Sequence, residues 1–178
     1  MARICVFCGS QAGTNALYRQ AATDLGQFLV RQGYGLVYGG GHVGLMGTIA
    51  DAVLASGGEV VGVIPASMVA RELAHTGETT LEVVEGMHER KARMAALADA
   101  FIALPGGYGT YEELFEVITW AQLKMHCKPI GVLNVGGYFQ ALNTLVEQAI
   151  REGFIRTEHQ RLFTMAEEPR TLFEAMGL

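Results

Sequence analysis

The chain has 178 residues, half of them hydrophobic and 23 of them glycine, and its formal net charge at pH 7 is −5. This length fits one domain over residues 1–178, and the composition is typical of a globular α/β protein. The acidic balance excludes a basic stripe for a nucleic-acid backbone. No apolar run reaches the roughly 20 residues of a membrane span. Because Met1–Val6 leads directly into a predicted strand, with no charged and then apolar leader, we expect a cytoplasmic protein.

Short apolar runs alternate with longer helical patterns along the chain, which predicts βαβ units and a parallel sheet. The strands are apolar throughout, as strands covered on both faces are. We therefore predict an α/β fold, a single doubly wound Rossmann-like domain with a parallel sheet flanked by helices and ligands bound outside the carboxyl ends of the strands. In chain order, the predicted elements are a strand over Arg3–Cys8, a helix over Ala16–Arg31, a strand over Gly35–Tyr38, a helix over Leu45–Ala55, strands over Val60–Ile64 and Leu81–Val84, a helix over His88–Ala98, a strand over Ala100–Leu104, a helix over Tyr111–Lys124, a strand over Pro129–Leu133, and helices over Phe139–Arg151 and Pro169–Met176.

The three cysteines are Cys5, Cys8 and Cys127, and this odd number argues against a disulfide framework. Cys5 and Cys8 have the C-x-x-C spacing of redox and zinc sites. However, Cys5 lies inside an apolar run and no second pair completes a zinc site. We predict buried thiols in a strand.

The segment Gly39–Gly44 follows a predicted strand, opens a helix and formally matches G-x-G-x-x-G. A dinucleotide site also needs an acidic residue about 20 positions later, to reach a ribose hydroxyl. The next strand instead ends in Ile64-Pro65-Ala66-Ser67, and no G-K-[ST] element is present. The glycines therefore favour a turn that lines the pocket of a smaller ligand, and a purely structural tight turn is the alternative.

The stretch Leu104–Glu113 runs from a buried strand through glycines into a helix. Glycines let backbone N–H groups crowd around an anion, and the helix N-terminus adds a positive dipole end. The stretch therefore predicts a phosphate cradle, to which Thr110 adds a hydroxyl. The alternative is a capping box, with Thr110 as N-cap and Glu113 at N3.

The segment Met87–Lys91 places two adjacent cations, Arg90 and Lys91, in the first turn of a predicted helix. Cations are favourable near the C-terminus of a helix, and a residue placed against such a preference often has a functional role. The alternative is a solvated helix face. We expect this helix start and the Gly106 loop to lie at the same edge of the sheet, one strand apart, so that Arg90 and Glu113 meet over one pocket.

The segments GGGHVGLMG (Gly39–Gly47), MHERK (Met87–Lys91) and PGGYGTYEE (Pro105–Glu113) resemble the hallmark motifs of the LOG ("Lonely guy") family. Its members are cytokinin riboside 5′-monophosphate phosphoribohydrolases, and the resemblance runs from about Ile4 to Arg161. The family is often labelled "lysine decarboxylase". A pyridoxal enzyme needs a Schiff-base lysine, and none of the three lysines, Lys91, Lys124 and Lys128, lies in a recognisable cofactor motif.

The resemblance implies that Arg90 and Glu113 are the catalytic pair. We expect no cofactor, and we expect no metal because the sequence shows no cluster of metal-ligating residues. It also implies a homodimer or larger homo-oligomer in which the neighbouring protomer helps to wall the pocket. Ser10 and Gly39–Gly41 are expected to line the same pocket. The implied substrate-binding residues are Glu72, Arg90, Lys91, Gly106, Gly107, Tyr108, Gly109, Thr110, Tyr111, Glu112, Glu113 and Thr119.

Cleavage of an N-glycosidic bond builds positive charge on the sugar ring, and a carboxylate stabilises that charge. A helix N-terminus and a nearby arginine both favour an ionised Glu113, which we assign as base, nucleophile or electrostatic stabiliser. Arg90 keeps its proton and orients Glu113 or donates to the substrate. We therefore expect hydrolysis of the N-glycosidic bond of a purine nucleoside 5′-monophosphate, with release of the free base and ribose 5-phosphate. The nucleotide is AMP or an N6-prenyl-AMP, and an N6-modified AMP is the preferred expectation. The alternatives are a general AMP or purine-nucleotide nucleosidase, and a non-catalytic carrier of the molybdenum cofactor or a nucleotide.

Overall fold

The structure is a computed structural model that describes residues 1–69 and 80–178. Within these residues the strands are β1 (Arg3–Phe7), β2 (Gly35–Tyr38), β3 (Val60–Pro65), β4 (Thr80–Val84), β5 (Ala100–Ala103), β6 (Ile130–Leu133) and β7 (Thr164–Ala166). The helices are α1 (Ala16–Arg31), α2 (Gly44–Ala55), α3 (Met87–Leu97), α4 (Tyr108–Gln122), α5 (Gln140–Arg151) and α6 (Pro169–Met176). None of these helices combines the length and the apolar character needed to cross a bilayer.

The described strands form one parallel sheet in the order β4-β3-β2-β1-β5-β6-β7. The predicted doubly wound α/β fold is thereby confirmed. The strand order reverses between β1 and β5, and in open α/β sheets the crevice at such a switch point is where ligands bind. The expectation that β4 and β5 lie one strand apart is wrong, because β3, β2 and β1 all lie between them.

Side chains alternate across β1 and divide the core into two layers. Ile4 and Val6 pack into one buried cluster, whereas Cys5 and Phe7 pack into the other. This period of two is that of a strand covered on both faces. Full burial of each large apolar side chain stabilises the fold by roughly 1.5–3 kcal/mol. Cys5 and Cys8 are buried and free, as predicted, and Cys127 is exposed.

Helix α4 begins three residues earlier than the sequence predicts. Its N-cap is Gly107, so Thr110 lies at the third helical position, and no side chain caps the helix. The capping-box alternative is therefore wrong, because neither Thr110 nor Glu113 occupies the position that it requires. Strand β7 was not predicted; it has three residues and pairs with β6 at the edge of the sheet.

Candidate active site

Three glycine-rich loops meet at the switch point of the sheet. The Gly9 amide donates to the Pro105 carbonyl over 3.0 Å, and the Leu45 amide donates to the Gly9 carbonyl, also over 3.0 Å. The loop after β1 is thus held between the start of α2 and the loop after β5. The approach is close enough that a Cβ on Gly44 would lie 2.3 Å from the carbonyl carbon of Ser10.

A cavity of about 170 Å³ opens where these loops meet. Arg90 and Glu113, the predicted catalytic pair, both line it. The first turn of α4 forms one wall, and the first three amides of a helix have no acceptor within the helix. The cavity is therefore suited to a group with negative charge. Its lining residues are Val6, Cys8, Gly9, Ser10, Gly39, Met46, Arg90, Met94, Gly107, Tyr108, Gly109, Thr110 and Glu113.

Arg90 reaches this cavity because α3 runs back across the sheet from β4 towards β1. The side chain is 6% exposed. Its Nε donates to the Val63 carbonyl over 3.1 Å and its Nη2 to the Gly39 carbonyl over 3.0 Å. Both acceptors belong to the strands or loops that α3 crosses. A Cβ on Gly39 would lie 1.9 Å from Arg90 Nη2, so the glycine makes room for the guanidinium.

Glu113 lies in the second turn of α4, half-buried, on the wall formed by that helix. Its charge interacts electrostatically with Cys8, another residue that lines the cavity. Burial, followed by the Glu113 carboxylate, raises the pKa of Cys8 well above its ordinary value, and Arg90 opposes this. The thiol therefore stays protonated at neutral pH and is a poor nucleophile.

Lys91 points away from the cavity although it follows Arg90 directly. Its Nζ forms ion pairs with the carboxylates of Glu112 and Glu116, the latter at 3.0 Å. Burial lowers the pKa of Lys91, but hydrogen bonds and charge interactions with these two carboxylates outweigh burial and raise it overall. In this structure Lys91 and Glu112, both expected to contact the substrate, instead tie α3 to α4.

The remaining predicted site residues have varied surroundings. The Tyr111 hydroxyl lies 2.5 Å from the Tyr138 hydroxyl. Thr119 is exposed, and its hydroxyl donates to the Phe115 carbonyl one turn earlier on α4 over 2.7 Å. Gly106 adjoins the cavity but lines a neighbouring one of about 220 Å³. Glu72 lies outside the described residues.

The sequence interpretation missed several lining residues. Met94 follows Arg90 by one helical turn, so the i, i+4 spacing carries a signal for it. Val6 lies near the end of β1 and Cys8 directly follows that strand, at the edge where ligands bind, and Met46 lies in the first turn of α2. Tyr138 was missed as well, although the Gly136-Gly137 pair before it marks a fourth loop at the same sheet edge.

The cavity is smaller than the roughly 300–1,000 Å³ typical of small-molecule sites. It shares Gly9, Ser10 and Gly107 with the neighbouring 220 Å³ cavity, so the two are separated by a ridge of backbone. The described residues therefore enclose only part of a nucleotide-sized ligand.

Solved structures of molybdenum-cofactor proteins share this fold. The molybdenum cofactor binding protein from Rippkaea orientalis is 20% identical, with a TM-score of 0.73 over 99% of this chain and 96% of that one. The molybdenum cofactor carrier protein from Chlamydomonas reinhardtii is also 20% identical, with a TM-score of 0.74 over 99% of this chain and 97% of the other. At this identity the likeness concerns the fold alone.

Curated relatives are much more similar in sequence. The cytokinin riboside 5′-monophosphate phosphoribohydrolase LOG from Oryza sativa subsp. japonica is 55% identical over 96% of this chain and 70% of its own length. A probable enzyme of the same name from that plant is 54% identical, over 96% and 75% respectively. A cytokinin riboside 5′-monophosphate phosphoribohydrolase from Arabidopsis thaliana is 53% identical over 98% and 81%.

The family model described as "Possible lysine decarboxylase" matches residues 46–176, a range that contains both catalytic candidates. This match agrees with the relatives, whose similarity extends over nearly the whole chain. The chain belongs to the LOG family, which that model represents.

Proposed function

We propose that this protein hydrolyses the N-glycosidic bond of AMP or an N6-modified AMP and releases the free base and ribose 5-phosphate. The observation that carries the proposal is the cavity in which Arg90, Glu113 and the N-terminus of α4 converge. The names of relatives at 53–55% identity support the same reaction.

The first turn of α4 binds the 5′-phosphate in this proposal. The amides of Gly107–Thr110 meet the ligand at the positive end of the helix dipole, and no side chain of the glycines obstructs the approach. Thr110 is 3% exposed and adds its hydroxyl to the same wall. Holding the phosphate positions C1′ over Glu113, one helical turn further along α4.

Glu113 acts on the sugar. Departure of the base leaves oxocarbenium character at C1′ and O4′, which the carboxylate stabilises. Glu113 either accepts the proton of the water that attacks C1′ or bonds to C1′ before water releases the sugar. In both routes the C1′–N9 bond breaks, a C1′–O bond forms, and the base leaves with the bonding electron pair.

Arg90 orients the site. Its Nε and Nη2 bonds to the carbonyls of Val63 and Gly39 fix the guanidinium plane, so its remaining N–H groups have a set direction. These groups hold Glu113 or stabilise the negative charge that develops on the leaving base. Arg90 stays protonated throughout, since guanidinium does not lose its proton in proteins.

A lysine decarboxylase activity, which the family description "Possible lysine decarboxylase" suggests, is disfavoured by the surroundings of the lysines. Schiff-base chemistry needs an amine that is free to react. None of the three lysines lines the candidate cavity. Lys91 is held by two carboxylates, and the Lys128 Nζ donates to the Ala95 carbonyl over 2.8 Å. Lys124 lies beyond the C-terminal end of α4. A carrier for the molybdenum cofactor is also disfavoured, because binding alone does not require the Arg90 and Glu113 pair.

The proposal includes assembly as a cytoplasmic homodimer or larger homo-oligomer whose neighbouring protomer completes the pocket. Two features support assembly. The cavity encloses only part of a nucleotide, and apolar side chains face outwards on α4 and at its C-cap. Phe115 on α4 is 38% exposed and the C-cap residue Leu123 is 62% exposed. Loss of turnover on dilution below the dissociation constant for assembly, measured by mass photometry and activity together, tests this part.

The proposed reaction is tested by incubating the purified protein with AMP and, separately, with N6-isopentenyl-AMP. Released base is quantified by chromatography. We expect base and ribose 5-phosphate in equal amounts, and the ratio of kcat/KM values identifies the substrate that the pocket prefers. Tight binding of nucleotide with no base released from either would favour a carrier.

A further inference from the structure

The loop after β6 brings a tyrosine to the candidate site that the proposed reaction does not use. Gly136 and Gly137 take φ values of 58° and 76°, a left-handed turn that side-chain-bearing residues rarely adopt. The buried Asn134 closes this turn, because its Oδ1 accepts the Phe139 amide at 2.7 Å. The Tyr138 ring packs edge-on against Phe139, with ring centroids 5.0 Å apart. Tyr138 is therefore held in a defined orientation.

The Tyr138 hydroxyl belongs to a short chain of hydrogen bonds. It donates to the Gly106 carbonyl over 2.5 Å and lies 2.5 Å from the Tyr111 hydroxyl. A phenol has one proton. Since Tyr138 gives its proton to the carbonyl, Tyr111 must donate to Tyr138. Burial, with Tyr111 next, raises the pKa of Tyr138 to about 12, so Tyr138 keeps that proton at neutral pH.

The carbonyl that Tyr138 binds shares a peptide unit with the amide of Gly107. In a trans peptide the C=O and the N–H point in opposite directions. Gly106 and Tyr138 line the 220 Å³ cavity, whereas Gly107 also lines the cavity of Arg90 and Glu113. A carbonyl fixed towards Tyr138 therefore directs the Gly107 N–H away from Tyr138, to the side of the catalytic cavity.

This peptide needs such an anchor because glycine flanks it on both sides. Without Cβ atoms, a peptide plane can rotate between several orientations at little steric cost. The bond from Tyr138 selects one of them. It also polarises the peptide, which makes the Gly107 N–H a better donor.

We propose that Tyr138 is a positioning residue, whose hydroxyl fixes the Gly106–Gly107 peptide so that the Gly107 amide faces the phosphate of the ligand. Tyr111 supports it as the second member of the chain. The assignment of the ligand as a sugar phosphate rests on the proposed function.

The test compares Tyr138→Phe with wild type by calorimetric titration of ribose 5-phosphate and, separately, of adenine. Loss of one orienting hydrogen bond is expected to weaken ribose 5-phosphate binding about five- to tenfold. Adenine binding stays unchanged, since adenine has no phosphate. With AMP as substrate, KM rises by a similar factor and kcat changes less. Tyr111→Phe leaves the bond to Gly106 in place and is expected to cost at most about threefold.

Tyr34→Phe is the matched control, because Tyr34 packs against Phe173 in the layer of α1 and α6 and lines neither cavity. Wild-type affinity for ribose 5-phosphate in Tyr138→Phe would overturn the proposal. An equal loss of adenine affinity would also overturn it, because that outcome marks a general disturbance. Failure of the proposed reaction is seen separately, as wild-type protein that binds ribose 5-phosphate but releases no base from AMP.

Discussion

The two glycine-rich loops, Gly39–Gly47 and Gly106–Gly109, run into the first turns of α2 and α4 and need their glycines for different reasons. In the first loop, a Cβ on Gly39 would meet Arg90 at 1.9 Å, and one on Gly47 would meet the His42 carbonyl oxygen at 1.8 Å. In the second loop, a Cβ on Gly107 or Gly109 would meet no protein atom within 4 Å. The first loop is packed against protein atoms at both of these positions. The second loop is packed at Gly106, where a Cβ would meet Thr110, but it borders open space at Gly107 and Gly109.

This difference distinguishes glycines that protein packing requires from glycines that border space for a ligand. Both Gly107 and Gly109 have ordinary φ values, so neither backbone conformation nor packing requires glycine there. The space beside them is part of the cavity that we assign to the phosphate. Within the first loop a further distinction exists, because Gly39 is opposed by a flexible side-chain end and Gly47 by backbone.

The largest effect is expected for Gly39→Ala. The new Cβ displaces the end of Arg90 from its carbonyl acceptors but leaves the backbone in place. We expect kcat to fall about 100-fold or more, as on removal of one preorganised group. The free energy of unfolding should fall by only about 1–2 kcal/mol, for the lost hydrogen bonds. Steady-state assays and urea unfolding measure the two.

Gly47→Ala is the matched comparison within the same loop. Its Cβ meets the His42 carbonyl oxygen, so backbone must move and the free energy of unfolding should fall by about 3 kcal/mol. Full turnover in folded Gly39→Ala would show that the position of the Arg90 guanidinium does not matter to the reaction.

Gly107→Ala is expected to act on binding rather than folding. Its Cβ projects into space that the proposal assigns to the ligand, so the affinity for ribose 5-phosphate should fall about tenfold. Gly86→Ala is the control, because Gly86 is also an N-cap glycine with open space around its Cβ position. Both variants should lose the same small stability, about 0.5–1 kcal/mol. Equal phosphate affinity in the two would remove the distinction between the loops.

The smallest effect is expected for Lys91→Met, which cuts the link between the helices that start near these loops. Lys91 is 8% exposed, but Glu112 is 55% and Glu116 24% exposed, so solvent screens the pairs. We expect a loss of about 1–2 kcal/mol in the free energy of unfolding at pH 7. The pKa of Lys91 is raised in the folded protein, so its ion pairs stabilise the fold fully below the unfolded pKa of about 10.4. This stabilisation is lost as the pH rises through the folded pKa of Lys91. The difference from wild type should therefore shrink above about pH 10, in urea unfolding measured across pH. A difference that persists there would contradict the ion-pair assignment.

Elements with local signals were predicted to the residue. Helix α1 begins after Asn15, whose side chain accepts the Leu17 amide. Helix α6 runs from Pro169 to Met176, and its C-cap Gly177 lies in the left-handed region. The start of α4 was misplaced because Thr110-x-x-Glu113 has the spacing of a capping box. In the structure Thr110 packs against Gly106 instead, where a Cβ would lie 2.0 Å from the threonine hydroxyl.

Features that depend on tertiary packing could not be predicted. The order of strands in the sheet cannot be read from the sequence, so the predicted separation of β4 and β5 was wrong. The pairing of Lys91 with Glu112 and Glu116 depends on how α3 packs on α4, and Tyr138 reaches Gly106 from 32 positions away. The sequence motifs identified the loops that form the site. The direction of each side chain could be assigned only from the folded structure.

In the proposed reaction Glu113 drives cleavage of the N-glycosidic bond, and base release by Glu113→Gln measures that role. Glu116→Gln is the control, since Glu116 lies one turn further along α4 and does not line the cavity. We expect wild type to release base from AMP or its N6-isopentenyl derivative. Folded Glu113→Gln should be at least about 100-fold slower, and Glu116→Gln should stay within a few-fold of wild type. Base release by Glu113→Gln at the wild-type rate would contradict the role of Glu113.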